Sequence, residues 1–290
     1  MKKTLLCIAL FAALACSPRA DRIVIGSKNF SEQITLGEIL AQQIERTLHV
    51  PVERKLNLGG TFICHKAMLS GDIDLYVEYT GTAYTAILKR DPKSDAQAVY
   101  EEVKRVYHDQ YHLDVLDPLG FNNTFAIIIR GEEARRLQLT TLSQAAQYAP
   151  GWKAGFGYEF MERKDGFPGL ASTYGLKFAE APHVMDLTLS YRAVAEKQVD
   201  LIAGNSTDGL IQKLDLFVLQ DDKHYFPPYE AVPVVRAETL LNYPQLRDTI
   251  LKLSGKISAD EMRRMNLEVD GDHKDVRAVA SAFLAKLKKE

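Results

Sequence analysis

Short apolar runs alternate with amphipathic stretches along most of the chain, and their order predicts strands alternating with helices. Residues 22–26 (RIVIG) read as a first strand, and a helical period runs from Ser31, a residue suited to capping, to about Thr47. A second strand over 52–56 is entered through Pro51, and a second helix covers Thr61 to Ser70. From Gly71 to Thr82 (GDIDLYVEYTGT), acidic and apolar positions first alternate, as in a strand with one buried face. The pattern then gives way at Thr80 and Gly81 to capping and turn chemistry. Residues 82–90 (TAYTAILKR) read as a helix with its cations in the last turn. Tyr79 and Thr82 are thereby expected at a strand-to-helix junction, the place where open α/β sheets bind ligands. A tyrosine ring attracts a cation and a helix N-terminus an anion, so the junction suits a small zwitterion; the alternative is a buried strand whose tyrosines are ordinary core.

A helix over 95–111 and a strand over 114–117 complete a first module. A second module opens with FAIIIR at 125–130 and continues through a helix at 132–137 and a capped segment at 141–148. Strands at 153–157, 177–181 and 199–203 follow, with helices at 167–174 and 185–197 and a turn into a helix at 206–211. Pro227-Pro228-Tyr229 interrupts the pattern, and beyond 232–236 the chain reads as helical over 243–253, 258–266 and 275–288. Strand–helix alternation indicates parallel βαβ units, and a C-terminal helical block that returns to the first module makes that module discontinuous.

A net charge of −2 on 290 residues gives no electrostatic reason for a nucleic-acid or membrane-surface partner. Met1 to Cys16 joins Lys2 and Lys3 to an apolar run, Leu5 to Leu14, which is too short for a stable membrane span and has the form of a secretory leader. Ala13-Leu14-Ala15-Cys16 resembles a bacterial lipobox, so residues 1–15 are expected to be a lipoprotein-type signal peptide and Cys16 to be acylated. Ala13 stands where leucine is commoner, and plain secretion with cleavage near Ala15 or Ala20 is the alternative. Both readings place the mature protein outside the cytoplasmic membrane, in the periplasm or at the cell surface. Cys7 leaves with the leader and Cys64 reads as a buried small residue, so no intrachain disulfide is expected. Neither a Gly-x-Ser-x-Gly elbow nor a His-Glu-x-x-His helix is present, which argues against a hydrolase. His108 and His112 have the spacing of a metal pair without evident further ligands, and no metal or cofactor site is expected.

Six separated motifs resemble one family: Gly26-Ser-Lys-Asn-Phe-Ser-Glu-Gln33, Gly71 to Thr82, Gly120-Phe-Asn-Asn-Thr-Phe-Ala126, Arg163-Lys-Asp-Gly166, Ser206-Thr-Asp-Gly209 and Phe226-Pro-Pro-Tyr229. It is the glycine betaine, choline and carnitine type of substrate-binding protein that feeds ABC importers, and the similarity runs from about Arg22 to Leu287. The resemblance implies an α/β, two-lobe type II periplasmic-binding-protein fold with the ligand cleft between the lobes. Residues 22–124 plus 229–290 would form a discontinuous first lobe and 125–228 the second. It also implies delivery of a quaternary ammonium solute to a permease and its ATPase, for osmoprotection or nutrition, by a monomer tethered through lipid on Cys16. A binding protein for a different polar or amino-acid-like solute, or an extracytoplasmic hydrolase, is the rival reading.

Carried over by position, Tyr79 and Tyr229 match two cage tyrosines, and Thr82 matches a hydroxyl that helps to bind a carboxylate. Two cage positions depart: Phe125 keeps a π face without a hydroxyl, and Asn205 exchanges a ring for an amide. The second change favours a ligand with an extra polar feature, such as a hydroxyl, an imidazole-like ring or a longer tail. Arg163 corresponds to a basic residue directed at the cleft, supplemented by Lys28; Asn123 and Asp208 complete the candidate set. Each has a structural alternative: Arg163 pairs with Asp165 or Glu159 at the surface, Lys28 is a solvated loop cation, Asn123 positions the hinge, and Asp208 caps its helix. Tyr76 and Tyr84 are expected in the core.

Overall fold

Two five-stranded mixed sheets, each covered by helices on both faces, carry the chain. The structure, a computed structural model, describes residues 22–288, so the leader and Cys16 lie outside the described residues. The strands are β1 (Ile23–Lys28), β2 (Val52–Gly59), β3 (Leu75–Tyr79), β4 (Leu113–Val115), β5 (Phe125–Arg130), β6 (Ala154–Phe156), β7 (His183–Val184), β8 (Leu201–Asn205), β9 (Leu216–Leu219) and β10 (Ala231–Arg236). The first sheet has the order β2-β1-β3-β10-β4 and the second β7-β6-β8-β5-β9.

The alternation of strand and helix predicted parallel units throughout, but each sheet is mixed. β1 pairs parallel with β2 and β3, while β10 runs antiparallel to both β3 and β4. In the second sheet β6 pairs parallel with β7 and β8, and β5 runs antiparallel to β8 and β9. The cause is the path of the chain. β5 and β10 are the strands by which it enters each sheet from the other, and each lies between two strands that are joined to one another through helices, β8 and β9 for β5 and β3 and β4 for β10. Pro233 lies inside β10, where its carbonyl accepts the Leu116 N–H at 2.9 Å.

The two crossing segments, 116–124 and 220–230, bond to each other. Asn123 N–H donates to Tyr229 O at 3.0 Å, Tyr229 N–H to Asn122 Oδ1 at 2.6 Å, and Ala231 N–H to Phe121 O at 3.2 Å. This short ladder ties together the two crossing, or hinge, segments and sets Asn123 and Tyr229 against the space between the sheets.

One apolar cluster joins β1 and the helix Ser31–Leu48 to Leu246, Ile250, Met262 and Phe283, so the C-terminal helices do pack on the first sheet. The opposite face buries Tyr76, Tyr84, Tyr107 and Cys64, and burial raises the Cys64 thiol to about 12. His108 pairs with Asp114 at 2.7 Å.

Several local expectations shift. Phe30, not Ser31, is the N-cap residue of the first helix; the Ser31 hydroxyl goes to Asp270. The helix after Tyr79 is an α turn, Thr80–Thr82, continued by a π turn, Ala83–Ile87, and it stops before the left-handed Lys89, so its cations lie beyond it. No strand forms over 177–181. The ladder is made by β7 beyond Pro182, a residue with no N–H to give. β9 and the helices Tyr158–Glu162 and Ala237–Asn242 were not anticipated.

Gly120, within the first crossing segment, has φ +119°, and a Cβ there would fall 2.9 Å from the Gly255 backbone. Gly120→Ala should therefore lower unfolding stability by roughly 1–3 kcal/mol in a denaturant titration; an unchanged midpoint would show that this backbone is not constrained.

Candidate functional site

A cavity of about 710 Å³ opens between the two sheets. From the first sheet, β3 ends at Tyr79 in extended conformation and the chain turns at once into the Thr80–Thr82 helical turn, so Tyr79 and Thr82 face the cavity together. Gly81 is required there: a Cβ would lie 2.6 Å from Pro228 O and 2.8 Å from the Tyr229 ring. The missing side chain lets the second hinge segment press Tyr229 into the same cavity.

Tyr229 is buried, and its hydroxyl donates to Asp165 at 2.6 Å. Phe125, at the start of β5, meets the Tyr229 ring edge-on at 5.5 Å between centroids and the Phe160 ring at 4.8 Å. Asn205 lies directly opposite Phe125 in the β5–β8 register, and among the described residues its side-chain amide has no hydrogen-bond partner.

Arg163 does pair with Asp165, but in the interior and not at the surface. Its Nε lies 2.9 Å from Asp165 Oδ1 and its Nη2 2.5 Å from Oδ2, with both side chains buried. The same Nη2 reaches Thr82 Oγ1 at 3.2 Å across the cleft, and the guanidinium stacks 5.0 Å from the Phe125 centroid. Burial alone would push the Asp165 carboxyl up, but the Arg163 charge, the Arg163 hydrogen bonds and the Tyr229 hydroxyl pull it below the ordinary range. Lys28 is no solvated loop cation either. It is buried and ion-paired with Glu78, and its ammonium stands 4.9 Å over the Tyr79 ring.

Asn123 lines the cavity and gives its amide N–H to Glu32 at 2.8 Å. Asp208 is the candidate that the structure does not bring to the cavity. Its carboxylate turns back to accept the Leu210 N–H at 2.9 Å, and it faces a neighbouring recess where burial raises it to about 7.

Sequence reasoning did not single out Glu32. Its buried carboxylate accepts from the Tyr79 hydroxyl at 2.5 Å, Thr207 Oγ1 at 2.5 Å, Asn266 Nδ2 at 2.9 Å and Asn123. The cavity wall also carries the exposed apolar residues Phe62, Ile63, Tyr158 and Val184, interspersed with the acidic Glu159 and Asp186.

The profile of the family described as the substrate binding domain of ABC-type glycine betaine transport systems matches residues 21–286. A Listeria monocytogenes carnitine transport binding protein, OpuCC, is 36% identical over 268 residues, covering 92% of this chain and 87% of its own. The Helicobacter pylori ergothioneine transport permease/ergothioneine binding protein EgtU is also 36% identical, over 266 residues and 91% of this chain; the chain spans 47% of that protein's length. A crystal structure described as a glycine betaine/carnitine/choline ABC transporter superposes with TM-score 0.75 at 35% identity, covering 91% of this chain and 98% of that one.

Arg163→Met would leave Asp165 buried without its cation, and a loss of about 3–5 kcal/mol of unfolding free energy is expected at neutral pH. Because the Asp165 carboxyl is depressed on folding, its contribution is present above the ordinary carboxylate value of about 3.9 and is lost as pH falls through the folded-state value. Parent and variant stabilities should therefore converge in acid; a gap that persists at pH 2 would show that the ion pair is not its source.

Proposed function

Because the chain belongs to the substrate-binding proteins of ABC-type glycine betaine transport systems, a family of binding proteins and not of enzymes, we propose that it captures a quaternary ammonium solute with an extended side chain and delivers it to a membrane permease. Its fold is that of a type II periplasmic binding protein, and its place in ABC import is extracytoplasmic.

The observation that carries the reading is the convergence of Tyr79, Phe125 and Tyr229 on one cavity beside Arg163 and Thr82. A trimethylammonium group cannot donate a hydrogen bond and is recognised by π faces, each worth about 0.5–2 kcal/mol depending on desolvation. Its carboxylate would meet the Arg163 guanidinium and the Thr82 hydroxyl, which lie together at the same wall.

The cavity favours a cargo larger than glycine betaine. At about 710 Å³ it has room beyond the three rings, with the Asn205 amide in its wall and both apolar and acidic side chains, among them Phe62, Ile63, Glu159 and Asp186, in the remainder. Carnitine and ergothioneine, for which the Listeria and Helicobacter relatives are named, each add a polar extension to a trimethylammonium carboxylate. In our reading Asn205 recognises that extension. The lobes would comprise residues 22–124 plus 229–290 and residues 125–228, in a monomer held to a membrane by lipid on Cys16 and served by a cytoplasmic ATPase.

A thermal-shift panel of glycine betaine, choline, carnitine and ergothioneine tests the cargo class. A rise in melting temperature with at least one is expected, and none with any would sink it. Tyr79→Ala or Tyr229→Ala should weaken the bound member by about tenfold or more, roughly 1.4 kcal/mol, in calorimetry; unchanged affinity would refute the cage. Asn205→Tyr should move preference toward simple betaines, and an unaltered ranking would remove Asn205 from selection.

A further inference from the structure

Glu32 is a fully buried carboxylate with no cation paired to it among the described residues. Its four donors come from four places in the chain. Tyr79 stands at the end of β3, Asn123 in the first hinge segment, Thr207 in the turn after β8, and Asn266 at the end of the helix Ala259–Asn266. Tyr79 and Asn266 belong to the first-sheet side, Asn123 to the hinge, and Thr207 to the second-sheet side.

The cluster is closed on itself. Asn266 Nδ2 also donates to Thr207 O at 2.9 Å, tying the turn after β8 to the C-terminal helix. Two steps on, Gly209 lies so close to Leu267 that a Cβ would fall 2.6 Å from its Cα. Asn123 and Asn266 both direct their N–H groups at Glu32, and both leave Oδ1 buried without a partner among the described residues. The arrangement therefore satisfies the carboxylate ahead of the amides.

An ionised carboxylate in such a place is held at a cost. Burial outweighs the four hydrogen bonds and lifts the Glu32 carboxyl above its ordinary range. Separation of the sheets would remove Thr207 and admit water, relieving the desolvation. Closure replaces that water with the Thr207 hydroxyl. Such a balance tips on the loss of one donor, because a hydrogen bond to a charged group is among the stronger kinds.

We propose that Glu32 is a positioning residue that couples ligand capture to lobe closure, holding the Tyr79 ring at the cavity with one carboxylate oxygen and the second lobe, through Thr207, with the other. Tyr79 Oη and Asn123 share Oε1, whereas Thr207 and Asn266 share Oε2, so the two functions fall on different atoms of one group. The inference rests on the quaternary ammonium reading only for its ligand arm.

The test is calorimetry with carnitine, together with small-angle scattering of the mature chain with and without carnitine. Thr207→Val removes the cross-lobe hydroxyl at constant shape, and Thr207→Ser restores it. Thr207→Val should bind carnitine about tenfold or more weakly and scatter with a larger radius of gyration, and Thr207→Ser should stay near the parent. Glu32→Gln, which sets an amide N–H against existing donors, should follow Thr207→Val. Variants that match the parent in affinity and radius in every condition would overturn the proposal. So would equal weakening by Thr207→Ser and Thr207→Val, or a loss of fold stability in Thr207→Val with closure unchanged. Absence of carnitine binding by the parent would count against the cargo alone, because the unliganded scattering arm still reads the latch.

Discussion

A carboxylate taken out of water must collect donors wherever the fold can supply them, and here two such groups collect them from both sides of one cleft. Glu32, on the first helix, takes a hydroxyl from Thr207 beyond β8. Asp165, beyond β6, takes the Tyr229 hydroxyl from the second hinge segment, while its partner Arg163 reaches Thr82 beyond β3. These contacts bring Tyr79, Tyr229 and Thr82 to one cavity, so the charges that hold the halves together also place the surfaces that face a solute.

The same pairing decides what the cavity presents electrostatically. Its two cations are spent, Lys28 on Glu78 and Arg163 on Asp165, and each also lies against a ring, Lys28 over Tyr79 and Arg163 over Phe125. An uncompensated ammonium or guanidinium would repel a quaternary ammonium group. A paired guanidinium can still offer an edge to a carboxylate while adding little net positive charge to the aromatic wall. A betaine needs both conditions within a few ångströms, and the Arg163, Thr82 and Phe125 contacts bring them together.

Much of the architecture was legible along the chain. The helices at Thr61–Ser70 and Phe167–Tyr174 and the strand at Phe125–Arg130 begin and end where local pattern put them. Asp95, Thr141, Ser258 and Asp275 each accept a backbone N–H at a helix start, as capping chemistry requires. Eight of the nine candidate ligand residues line the cavity, and Asp208 alone is withdrawn by its own turn. The errors came where the register depends on pairing with another strand, as at β7, or where the helical turn changes width, as in the π turn after Thr82.

Periodicity, capping and motif order are short-range properties, so the elements, the alternation and the family resemblance could be read from neighbouring residues. The partners of Glu32 lie 47, 91, 175 and 234 positions away, and an acidic residue in the first turn of a helix looks like ordinary dipole chemistry. Whether Arg163 is a surface cation or a buried one, and whether Lys28 is solvated or paired, depended likewise on which charge the folded chain set beside it. Desolvation is a property of the packed interior, and no local pattern carries it.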